Sequence, residues 1–578
     1  MFNPSHLLGI FSAFNASHFE ALDFTALAGA AQPNRLGGVV QMRPFAIKDG
    51  GADSLAQRER TVEGAELNVG PMSSQGTIRV RPNGKLLFVA SARQAYMNLL
   101  YGKWLDFDGS PLRYSFGDYN VTLSYRPSMR HRFDLNAYFG QDRASYTEGG
   151  HLMHVRLNWL NYAAEASWRV MDKSWQLTQR LVASGYQNDF RLRQAGQKMS
   201  LPSHIRQYGY QAEWNCNSWQ IGGSYSLYQI LPQSPQIEST YTQIETDRQK
   251  KGVAHEANVY AGWQYGWHDG QWVLKPEGRV TYYRDVDQKS WFSISPMLTL
   301  SWQAAPQHRL GVQLSVVNQY VQQTGFTSLG LPTEFWFSAS RELKPQRAEG
   351  LSLLYDGQTP NNAWAFTANA YVKRLHHQKE YKDNVLDLIN EAYSLNTSLL
   401  QGRGLNYGFG VQLTRQSGPV TGWVGYAFGR SLRKFPELRE RSSYPANHER
   451  VHEFNLVATW QALKRVTFTC SAVFASGTPF TSANEFYLMN GYVVAQYGKH
   501  NGCHLPWYKR VDMAANVDLK QKRQRHFRHG FNVSLFNAFG FNNPLFYRLR
   551  IRRDGNFRFA PVCFLKYPLP SFSYYIKY

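Results

Sequence analysis

The sequence predicts an all-β protein, a large antiparallel transmembrane β-barrel that follows a short N-terminal segment of different composition. From Thr77 onward, apolar and polar residues alternate with a period of two in one stretch after another. Short connections alternate with long ones, and the chain ends on an aromatic strand face. At about 24 residues per strand and connection, residues 60–578 would hold about 22 strands, a size class whose lumen is plugged.

The last eight residues, 571–578, give one clear example of the alternation. Phe572, Tyr574, Ile576 and Tyr578 share one face of the predicted strand, and Tyr575 is the one aromatic residue on the other. A soluble sheet ending on such a face would expose an aggregation-prone edge. In a closed membrane barrel the last strand pairs with the first, and the apolar face meets lipid. An edge strand of a soluble β-protein remains the alternative for this stretch.

The residues from Tyr119 to Tyr125 show how each strand would sit in the membrane. Apolar and aromatic side chains occupy the odd positions, and polar side chains occupy the even ones. This pattern predicts that Leu123 faces lipid and that Thr122 faces the lumen, where an arginine would be tolerated. Many of the predicted strands run for eight to ten residues, about the length that crosses a bilayer at a tilt.

The connections are sorted by length, as in an outer-membrane barrel with short periplasmic turns and long extracellular loops. One short turn is predicted near Pro127, and another at the basic run 520–529, which we interpret as a solvated periplasmic turn and not as a nucleic-acid site. The long polar connections are predicted near residues 186–207, 230–254, 318–346, 374–404, 430–452 and 478–508.

Composition excludes several classes of protein. The chain has 578 residues, 15% of them aromatic, and no apolar run long enough for a transmembrane helix. The formal net charge of +22 is spread over every segment, which argues against nucleic acid and is compatible with an anionic lipid leaflet. The four cysteines form no C-x-x-C motif, and no enzyme motif occurs, so we expect neither a metal, a cofactor nor catalysis.

The N-terminal segment, residues 1–52, is expected to form its own unit, with short helices between residues 12 and 31. Asn34 to Gly38, which includes Gly37 and Gly38, reads as a turn, and Val39 to Met42 as a short strand. Residues 53–76 are expected to contain a linker and the start of the barrel, and residues 77–578 the barrel itself. No secretory signal opens the chain, so an exported form would be a mature fragment or the downstream part of a longer product.

Several stretches resemble TonB-dependent outer-membrane receptors. Residues 2–15 and N-R-L-G-G-V-V-Q-M-R at 34–43 resemble the C-terminal part of the plug domain of that family. The stretches that resemble its barrel are N-Q-Y at 318–320, L-P-T-E-F-W at 331–336, L-K-P-Q at 343–346, A-S-G-T-P-F at 475–480, L-P-W-Y-K-R-V-D at 505–512 and S-L-F-N-A-F-G-F-N-N-P at 534–544. The resemblance covers essentially the whole chain.

The resemblance implies a receptor of the bacterial outer membrane that binds an extracellular ligand and imports it. Its implied partners are outer-membrane lipid, the barrel-insertion machinery, which would read the C-terminal strand, TonB in a full-length form, and a ligand taken up with or without a surface lipoprotein. The family's TonB box and first plug half have no counterpart in this chain, so the chain alone is expected to be leaky and uncoupled.

Trp336 and Arg341 lie in a predicted extracellular loop and are the candidate ligand-binding residues, because stacking and charge could both act on a ligand there. The sequence does not name the ligand. Two other functions stay open at this point, a passive outer-membrane porin and a secreted soluble β-protein that binds glycans.

Overall fold

The structure is a computed structural model. It describes residues 1–3, 6, 14–26, 29–47, 62–102, 106–107, 110–148, 153–194, 197–233, 236–239, 251–325, 334–381, 398–438, 442–489, 492–520, 527–551, 557–563 and 567–578.

The chain begins with a small antiparallel hairpin of β1 (Phe19–Thr25) and β2 (Val39–Pro44), after a 3-10 turn at Ala16–His18. Twenty-two antiparallel strands then close into one barrel, which confirms the predicted fold class and strand number. The barrel strands are β3 (Val62–Val69), β4 (Ser73–Asn83), β5 (Leu86–Ala95), β7 (Ser110–Tyr125), β8 (His131–Glu148), β9 (Met153–Met171), β10 (Trp175–Gln194), β11 (Gln197–Cys216), β12 (Trp219–Leu231), β14 (Gly252–Trp263), β16 (Trp272–Arg284), β17 (Ser290–Ala305), β18 (His308–Gln319), β21 (Gln346–Gln358), β22 (Trp364–Tyr381), β23 (Leu399–Arg415), β24 (Val420–Lys434), β26 (His452–Leu463), β27 (Val466–Ala475), β32 (Tyr508–Asp518), β33 (Arg528–Phe536) and β36 (Leu569–Lys577).

Short elements extend the sheet or decorate its loops. One helical turn, α1 (Asn98–Tyr101), follows β5. The short strands are β6 (Asp106–Phe107), β13 (Gln236–Ser239), β15 (Tyr265–Trp267), β19 (Val321–Thr324), β20 (Phe335–Ser338), β25 (Tyr444–Pro445), β28 (Pro479–Phe480), β29 (Ala483–Met489), β30 (Tyr492–Tyr497), β31 (Cys503–His504), β34 (Pro544–Ile551) and β35 (Phe557–Cys563).

The barrel closes where the first strand meets the last, as the aromatic C-terminus predicts. Residues 66–69 of β3 pair with residues 574–577 of β36. Phe572 is exposed on the outer face. Tyr575, the aromatic residue of opposite parity, is buried on the inner face, where its hydroxyl donates to Asp518 Oδ1 at 2.5 Å. Closure therefore leaves neither terminal barrel strand as a free edge.

In the belt that faces lipid, apolar side chains point outward and polar side chains point inward. On β7, Tyr119 and Val121 are exposed, whereas Asn120 and Thr122 are buried. The same order continues on β8, where Leu135 is 46% exposed and Asp134 only 9%. Exposed apolar residues facing outward are stable only against lipid, so this pattern indicates that the barrel spans a membrane.

The strands are longer than predicted. The region 186–207 is not a loop, because β10 and β11 pair continuously from Trp175 with Cys216 to Gln194 with Gln197. The prediction failed because the outward side chains of both strands are polar beyond the apolar outer belt, whereas inward ones such as Tyr186, Phe190 and Leu201 are buried in a hydrophobic cluster.

The two ends of the barrel differ. Short turns such as 84–85, 217–218 and 464–465 lie at one end together with the C-terminus, and the long connections lie at the other. The basic run 520–529 joins β32 to β33 at the short-turn end, although residues 521–526 lie outside the described ranges.

Aromatic rings decorate the outer surface at the short-turn end. A ladder of rings with centroids 5.3–6.0 Å apart runs through Trp219, Trp263, Tyr265, Trp267, Trp272 and Trp302. Aromatic girdles of this kind mark the interface between lipid and water.

The N-terminal segment, of which the structure describes residues 1–3, 6, 14–26 and 29–47, differs in part from the prediction. Between residues 12 and 31 the described part contains a 3-10 turn and the strand β1, so the expectation of short helices is wrong there. The predicted strand near Val39 is present as β2. Gly38, at φ +112°, lies where a Cβ atom would meet the Thr25 carbonyl oxygen at 2.7 Å, so only glycine fits this position. Gly37 has open space around its Cα.

Candidate functional site

The candidate site is the lumen, where the N-terminal segment contacts the inner face of the barrel wall. His6 lies between two wall carboxylates, with Nδ1 2.8 Å from Asp142 Oδ2 and Nε2 3.3 Å from Asp118 Oδ2. Arg93 Nε donates to the same Asp118 oxygen at 2.7 Å. Burial lowers the pKa of His6, but the hydrogen bonds to the two carboxylates outweigh it and hold the pKa above its ordinary value. These surroundings thus favour the protonated form of His6 more than water does.

His18 provides a second anchor, of opposite electrostatic character. Its Nε2 lies 3.0 Å from Thr122 Oγ1, and its Nδ1 lies 3.1 Å from Ser91 Oγ. Burial, together with the nearby Arg79 guanidinium, lowers the pKa of His18 to about 4. His18 is therefore held as a neutral imidazole by hydroxyl groups, and Thr122 is not the free lumen position that the alternation suggested.

Arg279 on β16 clamps the connection between β1 and β2. Its Nε donates to the Ala30 carbonyl oxygen at 2.7 Å, and its terminal nitrogens donate to the Gln32 carbonyl and, at 2.6 Å, to Asn34 Oδ1. The Asn34 amide donates in turn to Glu256 Oε1 at 2.9 Å. A guanidinium that holds several backbone carbonyls fixes the chain's path without needing a regular element there.

Leu36 and Ala26 of the N-terminal segment also form hydrogen bonds with the barrel wall. The Leu36 backbone N–H donates to Gln319 Oε1 at 3.0 Å, and Lys373 Nζ donates to the carbonyl oxygens of Ala26 and Leu36 at 3.1 and 3.3 Å. The anchors in this segment are thus largely hydrogen bonds to wall side chains.

The connection between β18 and β21 folds inward, which the sequence analysis missed. Within it, β19 and β20 pair as a hairpin whose residues Phe335 and Phe337 are fully buried. Tyr320, just before β19, stacks on Tyr283 of the wall with ring centroids 4.6 Å apart. We call the described residues of this connection, 320–325 and 334–345, the inward loop. The three consecutive aromatic residues Phe335, Trp336 and Phe337 in a predicted polar loop were the sequence signal that could have suggested it.

The two predicted ligand residues lie in different surroundings. Trp336 is buried in the inward loop, where its ring meets Phe2 edge-on at 5.2 Å and lies 5.6 Å from the Arg35 guanidinium. It therefore contacts the N-terminal segment. Arg341 is exposed and lines a cavity of about 610 Å³ together with Asp287 and Lys289. The ligand-binding role of Trp336 and Arg341 stays a prediction.

A cavity of about 1270 Å³ lies between the N-terminal segment and the wall formed by β18 and β21–β24. Thr25, Ala26, Leu36 and Gly37 line it on the N-terminal side, and the wall adds Arg309, Lys373, Lys379 and Arg433 among polar residues. Lys379 Nζ donates to Gln401 Oε1 at 2.7 Å and to the carbonyl oxygens of Lys344 and His377, each at 3.0 Å. Cations held by neutral oxygens can exchange them for an anionic solute.

Among the residues that the structure describes, no group of three or more His, Cys, Asp or Glu side chains could hold a metal ion. Within the same residues, no helix is both long enough and apolar enough to cross a membrane.

Comparison with solved structures identifies the fold. The siderophore receptor PiuA from Acinetobacter baumannii superposes with a TM-score of 0.65 at 10% identity, over 97% of this chain and 86% of that one. The FrpB iron transporter from Neisseria meningitidis gives a TM-score of 0.64 at 10% identity, over 97% and 87%. The ferric citrate transporter FecA in its unliganded form gives 0.59 at 12% identity, over 100% and 86%.

The fold is that of a TonB-dependent receptor. The proteins in these three structures are named as a siderophore receptor, an iron transporter and a ferric citrate transporter. The comparison confirms the fold that the sequence motifs predicted by resemblance. No protein-family model matches the sequence, and no curated protein matches it.

Proposed function

We propose that this protein is an outer-membrane receptor that binds an extracellular ligand and admits it through the lumen in a TonB-dependent manner. One observation carries the proposal: a segment inside the lumen is attached to the wall chiefly by exchangeable polar contacts, next to a large cavity. A hydrogen bond that is replaced by one to water costs little net free energy, about 1 kcal/mol each. Such a segment can therefore move without unfolding the barrel.

In this proposal residues 1–52 are the C-terminal part of a plug, and the turn with Gly37 and Gly38 is its edge on the cavity. Trp336 links the inward loop to that plug through Phe2 and Arg35, so a ligand that moves the loop would also move the plug. Arg341 would meet the ligand earlier, at the exposed face. TonB would act on the plug, and the insertion machinery would read the C-terminal strand.

For the ligand we propose a ferric chelate with anionic groups. The similar structures are described as a siderophore receptor, an iron transporter and a ferric citrate transporter. In this chain, Lys373, Lys379 and Arg433 line the cavity. The charge of these side chains suits carboxylate or catecholate groups of such a chelate.

The test is uptake by cells that produce the protein in a full-length form that includes a TonB box, with radiolabelled ferric citrate, a ferric catecholate and a ferric hydroxamate as probes. We expect at least one chelate to enter, and only in cells that contain TonB. The variant Arg433→Gln should lower that uptake several-fold, whereas Arg130→Gln, in an exposed turn, should not. Uptake that is equal without TonB, or no uptake of any probe, would contradict the proposal.

A passive channel is the second candidate, and the cavity beside the N-terminal segment is the observation that favours it. Uptake of all three chelates at equal rates, independent of TonB and proportional to concentration, would support this candidate.

A further inference from the structure

The outer wall carries a row of arginines that the receptor function does not use. Arg113 on β7, Arg143 on β8, Arg156 on β9 and Arg191 on β10 all have exposed side chains. They share the outward parity of the lipid-facing residues on their strands, since Arg113 is in step with Tyr119 and Arg143 with Phe139. We call these four residues the arginine row.

Strand register brings the four residues together. Arg143 lies opposite Ser115 on one side and Asn158 on the other, so Arg113 and Arg156 are its diagonal neighbours. Arg156 lies directly opposite Arg191. Diagonal neighbours of this kind are about 7–8 Å apart, within the reach of long side chains. Like charges placed directly opposite each other are destabilising, so Arg156 and Arg191 repel each other.

Few carboxylates relieve this repulsion. Asp189 pairs with Arg191 at 2.6 Å. Arg143 donates to the neutral Gln141 Oε1 at 3.1 Å. For Arg113, Arg143 and Arg156, the described residues provide no carboxylate within ion-pair distance. Ser115, Gln141, Asn158 and Leu160 line, together with these arginines, an open cavity of about 640 Å³ on the outer surface.

The row lies on the long-loop side of the apolar belt. Moving toward the short-turn end, the outward positions are first polar or glycine, Ser115 and Gly117 on β7, Gln141 on β8 and Asn158 on β9, and then apolar, Tyr119, Phe139, Leu160 and Tyr162. A molecule on this surface would thus meet guanidinium groups at one end and aromatic and aliphatic side chains below them. This sequence of contacts matches a lipid with a phosphorylated head group above its acyl chains.

We propose that the arginine row is a binding site for a lipid whose head group carries phosphate, held by Arg113, Arg143 and Arg156 at the edge of the belt nearest the long loops. Arginine binds phosphate through paired N–H groups, and three guanidinium groups in a row can bind more than one phosphate oxygen. The site is on the outer wall and is independent of the lumen.

The experiment uses the purified full chain in detergent micelles, with lipid binding measured by native mass spectrometry. Phosphatidic acid, phosphatidylcholine and inorganic phosphate are titrated separately into wild type and two triple variants. The test variant is Arg113→Gln/Arg143→Gln/Arg156→Gln. The control is Arg130→Gln/Arg347→Gln/Arg374→Gln, which removes the same charge from exposed arginines near carboxylates. Heat-modifiable gel mobility verifies that each barrel is folded.

We expect phosphatidic acid to bind wild type and control alike, and the test variant on the order of one hundredfold more weakly, because each basic residue near a membrane surface contributes about fivefold. Phosphatidylcholine should bind weakly to all three. Equal binding of phosphatidic acid to the test variant and the control would overturn the proposal, as would equal binding of the two lipids. Displacement of phosphatidic acid by inorganic phosphate at equal concentration would also overturn it, by indicating a site for free phosphate.

Discussion

Leu353 and Leu354 are neighbours in sequence but face opposite sides of the barrel wall. Leu353 is 51% exposed on the outer face, and Leu354 is 39% exposed toward the lumen cavity. We expect Leu353→Arg to destabilise the barrel by about 2–4 kcal/mol, because a charge would be placed in the lipid belt. Leu354→Arg should cost far less, since its guanidinium can enter the aqueous cavity.

The measurement is unfolding in urea of each variant refolded into lipid vesicles, with wild type alongside. The two substitutions are chemically identical, so helix or strand propensity cancels between them. Equal loss of stability in both variants would show that the assignment of Leu353 to the outer face and Leu354 to the lumen is wrong.

His6 and His18 should give the attachment of the N-terminal segment a bell-shaped pH dependence. The pKa of His6 is raised in the attached segment. The stabilisation that His6 gives the attachment is therefore fully present below its pKa in the unfolded chain, about 6.5, and is lost as the pH rises through the higher pKa of the folded state. The pKa of His18 is lowered to about 4. The stabilisation that His18 gives the attachment is therefore fully present above pH 6.5, approximately its pKa in the unfolded chain, and is lost as the pH falls to about 4. Attachment should be tightest near pH 6.5.

A nitroxide at Leu22→Cys, an exposed position on β1, would report this attachment by electron paramagnetic resonance, with the four native cysteines replaced by serine. His6→Gln should remove the loss of attachment at high pH, and His18→Gln the loss at low pH. If the mobility of the nitroxide stays constant with pH in the labelled protein that keeps both histidines, the assignments of His6 and His18 are both contradicted.

At the scale of elements, the inward loop and the N-terminal segment should respond together. Trp336→Ala removes a buried ring that contacts Phe2 and Arg35, and large-to-small changes at buried aromatic residues cost about 3–5 kcal/mol. We expect faster hydrogen exchange in β19, β20 and the hairpin β1–β2, while β22 and β23 stay protected. Trp364→Ala, at an exposed rim position, is the control. Faster exchange confined to the inward loop would show that the two elements are not coupled.

Sequence alternation predicted the barrel because the period of two follows directly from strand geometry and the lipid outside. The same signal predicted which face Thr122 occupies but not that the N-terminal segment would cover it, because a contact 104 residues distant leaves no local pattern. Strand ends were also misjudged, since the strands continue as polar sheet above the belt. The inward loop was missed for a related reason. Only the tertiary arrangement shows that Phe335 and Phe337 are buried against the wall.

For the molecule as a whole, the attachment of the N-terminal segment should set how much ion current the lumen carries. Arg279→Gln removes the donors that hold Ala30, Gln32 and Asn34. We expect single channels of this variant in planar bilayers to conduct more often or at higher levels than wild type. Arg347→Gln, on the outer face, leaves the lumen unchanged and should match wild type. An unaltered conductance in Arg279→Gln would mean that the clamp does not restrict the lumen.

The ladder of rings at the short-turn rim has a spectroscopic consequence. Five of the chain's 16 tryptophans stand within it at ring separations of 5.3–6.0 Å, either to each other or through Tyr265. Indole transitions this close couple excitonically, so the near-ultraviolet circular dichroism of the folded barrel should carry a signed couplet that isolated tryptophans lack. Because the ladder lies at the short-turn rim, brominated acyl chains should quench its emission most strongly when the bromine sits near the head groups. The ladder thus supplies an intrinsic optical marker of insertion depth, and no added label is needed.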